Sequence, residues 1–337
     1  MNRRIKTLVA LPLAATLAAI GMTTATSGAS GDTVNVVGYS TISAGYTALE
    51  TAFEATPAGQ GVTFTNSFGA SGTQAQDVAA GQPADIVNLS LIPDLNTDVK
   101  AGVVPRNWQT YPAAKAANGF VADSVPVLVV RPGNPLNITG WNSLTGSGVQ
   151  IVTPDPISSG SAKWNLLGAY YSQVLQGKKK VEPHNFLNSV VKNTVSEPSS
   201  GSKALSTFLA GTGNVLIAYE SDAQEALANG SKIQIVYPTQ NILIQTPAAL
   251  TTTGLNNPGA VAFFKYLFSV PGQTILTQQH YRSTLSGAEG TSLNSAFYSP
   301  TSLTSIAKLG GWSKVWAQFF SSTGLFTRIE NAHGYTT

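Results

Sequence analysis

Apolar positions along the chain fall into two alternating rhythms. Short β-branched runs at 34–38, 62–67, 86–89, 125–131, 149–153, 215–219 and 233–237 are bounded by Gly, Pro, Asn or Ser, which predicts strands. Between them lie stretches of helical periodicity. In 162–175, Leu166, Leu167, Tyr170, Tyr171 and Val174 recur at helical spacing. Further helices are predicted at 44–55, ending before Pro57; at 73–80, closed by Gly81; at 204–210, stopped by Gly211; and at 260–269, ending before Pro271. Strands that alternate with helices predict an α/β architecture with largely parallel sheets. No internal repeat is present. The basic run Lys178–Lys180 reads as a solvated turn, and the acidic cluster Glu220, Asp222, Glu225 as a solvent-facing helix start.

One further rhythm lies outside this alternation. Arg3, Arg4 and Lys6 precede an apolar run of 13 residues from Leu8 to Ile20, followed by small residues. This order is that of a secretory signal peptide over 1–29, cleaved after Ala29, and the run is short of the ~20 residues of a membrane span. The chain is therefore expected to be exported, to the periplasm or the outer face of the cytoplasmic membrane.

Composition narrows the chemistry. The 337 residues suggest about two lobes, and a hydrophobic content of 42% supports a sizeable core. Only 10% of residues are charged and the net charge is +3, too sparse a basic surface for nucleic acid. Cysteine is absent, which removes disulfides, thiolate metal sites and thiol nucleophiles. Three separated histidines, His184, His280 and His333, make a His-rich metal site improbable, and neither a metal nor a cofactor is expected.

The candidate chemistry lies in hydroxyl and glycine residues at helix starts. Ser71-Gly72-Thr73, Ser159-Gly160-Ser161 and Ser200-Gly201-Ser202 stand at or just before predicted helices, and Gly38-Tyr39-Ser40-Thr41 follows the first strand. A helix start carries unpaired N–H groups and partial positive charge. Glycine allows close backbone approach, and Ser or Thr adds a hydroxyl donor. Any one segment alone is an ordinary helix cap. Several converging at the carboxyl ends of strands would cradle an oxyanion without a charged side chain.

Enzyme signatures are weak. Ser200-Gly201-Ser202-Lys203 fits Ser-x-x-Lys without its companion motifs, and neither a Gly-x-Ser-x-Gly elbow nor a phosphate loop occurs. An exported serine hydrolase would need a base near Ser159 or Ser200, and none stands out. Phosphate near neutral pH keeps a proton and calls for a carboxylate acceptor. The Ser-Gly segments offer only donors, although Asp155 and Glu220 are close to two of them in sequence.

Three segments carry a family resemblance. Phe68-Gly69-Ala70-Ser71-Gly72-Thr73-Gln74-Ala75, the stretch from Thr153 through Ser159-Gly160-Ser161-Ala162-Lys163-Trp164-Asn165, and Gly213-Asn214-Val215-Leu216-Ile217-Ala218-Tyr219-Glu220 resemble the hallmark segments of sulfate/thiosulfate-binding proteins. These are extracytoplasmic substrate-binding components of ABC importers. The similarity runs from about residue 33 to the end, through Tyr281-Arg282 and the tail Gly310-Gly311-Trp312-Ser313-Lys314.

The resemblance implies a two-lobed periplasmic-binding-protein fold of type II, with mixed, mostly parallel sheets and one anion in the cleft between lobes. One lobe would hold 33–122 plus 240–310, the other 123–239, with 311–337 packing across both. Backbone donors would come from Ser40, Ser71, Gly160, Ser161 and Gly201, and the hydroxyl from Ser159. The family often has Asp where Ser40 stands, and sulfate-binding members have Trp where Tyr219 stands, so Tyr219 would donate through its phenol at a different reach. The implied partners are sulfate or thiosulfate and the membrane permease of an importer, the protein acting as a monomer. Another oxyanion, phosphate or molybdate, is the alternative ligand.

Overall fold

The computed structural model describes residues 32–179 and 181–334. The export segment expected over 1–29 lies outside them. The chain runs β1 (Thr33–Tyr39), α1 (Ser43–Glu54), β2 (Thr63–Gly69), α2 (Ser71–Ala79), β3 (Ile86–Asn88), α3 (Ile92–Lys100) and β4 (Phe120–Ser124). It continues through β5 (Pro126–Val130), β6 (Ile151–Val152), α4 (Gly160–Leu175), α5 (Val181–Lys192), β7 (Thr194–Ser196), α6 (Gly201–Leu209), β8 (Val215–Tyr219), α7 (Glu220–Ala228) and β9 (Gln234–Val236). There follow β10 (Gln240–Ile242), β11 (Ile244–Leu250), α8 (Pro258–Leu267), α9 (Val270–Gln278), α10 (Gly287–Asn294), β12 (Ser302–Thr304), α11 (Trp312–Phe319) and α12 (Leu325–Ala332).

These strands form two five-stranded sheets, ordered β2-β1-β3-β11-β4 and β7-β6-β8-β5-β9, and a small parallel pair of β10 with β12. Each large sheet is mixed. β1 runs parallel to β2 and β3, and β6 parallel to β7 and β8; β11 and β5 run antiparallel to their neighbours. The run 125–131, which reads as one strand, belongs to a place where the chain changes sheet. β4 ends at Ser124 in the first sheet, and β5 starts at Pro126 in the second. A return crossing lies between β9 and β11. Two short connections of this kind are what a hinge between two lobes requires.

Both sheets are covered on both faces. In β1, Val34 and Val36 enter the main core while Val37 enters a separate cluster with Val87 and Leu95. In β5 the same alternation sends Leu128 and Val130 to one side, Val127 and Val129 to the other. The period of two in the side chains makes this division automatic. Helix α1 buries Tyr46, Leu49 and Phe53, and the Phe53 ring stands 5.2 Å from that of Phe263 on α8. The tail helices dock against α4 and α5: the Trp312 ring meets Trp164 edge-on at 5.0 Å, and Phe319 meets Tyr170 at 4.8 Å. Among the described residues no helix is long and apolar enough to cross a membrane.

Candidate functional site

The strand-to-helix connections converge at one place. Tyr39 ends β1 and Ser40 follows it, Gly69 ends β2 and Ser71 opens α2, Ser90 follows β3, and Ser159 caps α4, which Gly160 and Ser161 open; together they line one small cavity. Ser40, Ser71, Ser159, Gly160 and Ser161, five of the seven residues singled out from sequence, are thus brought together. The space between them is too narrow for a water-sized sphere. No lining residue carries a carboxylate.

Gly201 and Tyr219 stand against this cavity rather than on its wall. A β-carbon on Gly201 would lie 3.1 Å from Oγ of Ser161 and 2.8 Å from the Thr41 side chain. The approach at Gly160 is closer still: a β-carbon there would fall 2.5 Å from that of Ser90, deep inside van der Waals contact. Tyr219 is fully buried, and its phenolic oxygen lies 2.6 Å from Oγ of Ser90. It reaches the cavity through Ser90, a residue that sequence reasoning missed. Ser90 follows a strand and precedes a helix like the others, but without an adjacent glycine.

Helix starts supply the donors. Ala70 and Ser159 cap α2 and α4 without any side-chain hydrogen bond to the first turn, and no acidic residue stands in the first turn of α2, α4 or α6. Ser200 differs, since its hydroxyl accepts from the backbone of Lys203 at 3.3 Å as an ordinary cap. The Ser159 hydroxyl pairs instead with that of Ser161 at 2.8 Å. Two hydroxyls have two protons, and one bond between them uses one. Each of the pairs Ser159–Ser161 and Ser90–Tyr219 therefore keeps a proton to donate.

The hydroxyl of Ser71 is already committed. It donates to Oδ2 of Asp94 at 2.6 Å and accepts from the Ser90 backbone at 2.9 Å, leaving Ser71 its N–H. Asp94 thus sits one hydrogen bond behind the cavity. Burial pushes its carboxyl above the usual range, opposed by the charge of buried Lys163 and by the Ser71 bond. Neither Asp94 nor Lys163 was singled out as a site residue.

The acidic cluster after β8 does not face solvent as its sequence suggests. Glu220 and Asp222 are 1% and 3% exposed, because α7 starts against the neighbouring loops rather than at the surface. Glu220 is bound by Arg282 through two contacts, 2.7 and 3.0 Å, so both of its carboxylate oxygens are engaged, and it does not line the cavity. Burial pushes Asp222 up to about 8, and a β-carbon on Gly201 would lie 3.8 Å from its Oδ2. Asp222 is thus a neutral acid at the edge of the cradle in neutral solution.

The loops of the two sheets touch directly. The N–H of Gly72 donates to the carbonyl of Ser158 at 2.9 Å, the Trp164 indole to the carbonyl of Ser90 at 2.9 Å, and the Ser202 N–H to Oγ of Ser40 at 3.3 Å. Chemically, the arrangement is an array of hydroxyl and backbone donors at helix starts, with the partial positive charge that such ends carry. Among the described residues no group of three or more His, Cys, Asp or Glu could hold a metal ion.

Residues 34–282 match the family model for bacterial extracellular solute-binding proteins. The sulfate-binding protein of Synechococcus elongatus is 33% identical over 321 residues, which is 93% of this chain and 91% of that protein. This chain belongs to that solute-binding family, within its sulfate/thiosulfate-binding group. The solved sulfate-binding protein SubI from Mycobacterium tuberculosis H37Rv superposes with a TM-score of 0.81 at 37% identity, covering 86% of this chain and all of that one. More distantly, the thiosulfate-binding protein of Escherichia coli is 28% identical over 80% of this chain and 82% of its own length. The family consists of binding proteins rather than enzymes.

Proposed function

We propose that this solute-binding protein captures sulfate, or the larger thiosulfate, outside the cytoplasmic membrane and delivers it as a monomer to the permease of an ABC importer. The observation that carries this reading is the donor-only lining of the cavity. Ser40, Ser71, Gly160, Ser161 and Gly201 would bind through backbone N–H groups. The Ser159 hydroxyl, and the Tyr219 phenol relayed through Ser90, would add side-chain donors. Such a cradle suits an anion that has shed all its protons; a protonated phosphate would place its O–H against a wall with no carboxylate to accept it. Of the carboxyl groups behind the lining, Asp94 accepts from Ser71, and burial pushes Asp222 up to about 8. The names of the relatives support the same ligands.

Parting and closing of the two halves about β4–β5 and β9–β11 would admit the anion and present the closed form to the permease. A ligand that binds only the folded state raises its unfolding temperature. Sulfate at millimolar concentration is therefore expected to raise the melting temperature by several degrees, and phosphate to leave it within a degree. Equal shifts from both anions would overturn the reading.

A further inference from the structure

A second and larger cavity lies behind the cradle, on the other side of the loop that carries Asp155 and Ile157. It measures about 740 Å³ and is walled by that loop, the first turns of α4, and the tail helices α11 and α12. Its chemistry is unlike that of the cradle. Three aromatic residues, Trp316, Phe320 and Phe326, supply an apolar wall, and three acidic residues, Asp155, Glu197 and Glu330, are among the others that line it.

Asp155 is provided for, accepting from the Ile157 N–H and the Ser158 hydroxyl at 2.8 Å each and facing the charge of Lys163; Glu197 and Glu330 have no such cation among the described residues. Lys163 is the basic residue on this wall, and its ammonium answers first to Asp94 and then to Asp155. Among the described residues, none of the three acids forms an ion pair. Glu330 is the sharpest case: it is 3% exposed, and neither of its carboxylate oxygens has a hydrogen-bond partner. Burial first, and the charges of neighbouring carboxylates second, push Glu330 up to about 7 and Glu197 up to about 8. A buried carboxyl group without a partner is costly in either protonation state, and its place beside aromatic faces points to a cationic occupant.

We propose that this cavity binds a small organic ammonium, its head held by Glu330 and Glu197 and its hydrocarbon body lying on Trp316, Phe320 and Phe326. A cation over an aromatic face is already accommodated here, since the ammonium of Lys163 stands 5.8 Å from the Trp316 ring centroid. A metal ion is the poorer occupant, because no three of the described acids or histidines stand close enough to ligate one.

The test is calorimetric titration of the exported protein at low salt with phenethylammonium and with 2-phenylethanol, which has a similar body and no charge. The ammonium is expected to bind saturably, and the alcohol at least tenfold more weakly. Glu330→Gln should weaken the ammonium at least tenfold while the unfolding midpoint stays within a few degrees, and Trp316→Ala should weaken both probes. Equal binding of amine and alcohol would make the cavity a merely apolar hole and overturn the proposal. So would undiminished amine binding by Glu330→Gln, no amine binding at all, or a concentration-dependent dimer abolished by Trp316→Ala, which would assign the face to a second copy of the chain.

Discussion

The phenolic oxygen of Tyr219 lies 2.6 Å from Oγ of Ser90, although 129 residues separate the two along the chain. Ser90 belongs to the first sheet's loops and Tyr219 to the second's, so this bond forms only when the two halves meet. It also places a tyrosine's proton within one hydroxyl of the cradle. Tyr219→Phe should weaken anion binding by about two- to tenfold, the value of one neutral hydrogen bond of roughly 0.5–1.5 kcal/mol. Because the two hydroxyls act as a unit, Ser90→Ala should cost little more in the Tyr219→Phe background than Tyr219→Phe alone. Additive losses in a double-mutant cycle would show that the two act separately.

Gly160 meets Ser90 across the same seam. A methyl group at this position has nowhere to go, with the Ser90 β-carbon 2.5 Å away and Oδ2 of Asp94 at 3.2 Å. Gly160→Ala should therefore hold the halves apart, lowering anion affinity by more than tenfold while each lobe remains folded. Small-angle scattering would register an increased radius of gyration that added anion fails to reduce. A variant as compact as the parent with undiminished affinity would remove Gly160 from the closing seam.

Ser159 offers the cradle a hydroxyl that its own helix does not use as a cap. Its loss costs one hydrogen bond to a charged ligand, about 1.5–3 kcal/mol, or roughly ten- to 150-fold in dissociation constant. Ser159→Ala is expected to fall in that range by titration, with an unfolding midpoint near that of the parent. Affinity within twofold of the parent would take Ser159 out of the site.

Asp222 makes the cradle sensitive to pH. Its carboxyl is pushed by burial from an ordinary 3.8 up to about 8, so it is neutral through neutral solution and ionises in mild base. A charge developing beside Gly201 opposes a bound anion, which in turn favours the protonated acid. Affinity should be flat below pH 7 and fall as pH rises through about 8, and Asp222→Asn should abolish the fall. The sign for folding is the same: the native state holds a proton that the unfolded chain releases near 3.8. The contribution of Asp222 to stability is thus greatest in acid and is lost as pH rises to about 8. Urea unfolding at pH 5 and pH 8.5 would check it, with the greater stability expected at pH 5.

Much of this architecture is legible in residues 34–89 and 215–219, where runs such as Val34–Val37 set strands and Gly81 or Pro57 stop helices. The serine-glycine helix starts are legible for the same reason, being local signals placed at a known end of a strand. What is not legible depends on contacts distant in sequence. The antiparallel course of β5 and β11 follows from pairing with β8 and β3, which no local pattern encodes. The change of sheet at Val125, between β4 and β5, is of the same kind. Glu220 and Asp222 look like a solvated helix start, because acidic residues in a first turn favour the helix dipole wherever they stand. Only Arg282, 62 residues on, explains how Glu220 can be buried. Asp94 and Ser90 carry no motif of their own, and their place is set by Ser71 and Tyr219.

The central claim is that the cradle offers hydroxyl and backbone donors and no carboxylate on its lining, and so selects a fully deprotonated anion. Equilibrium dialysis of the protein with labelled sulfate, competed by unlabelled thiosulfate, molybdate and phosphate at pH 7, tests it most directly. The account predicts retained sulfate that phosphate does not displace even at hundredfold excess. Displacement by phosphate at comparable concentration, or retention of phosphate with no sulfate bound, would contradict it.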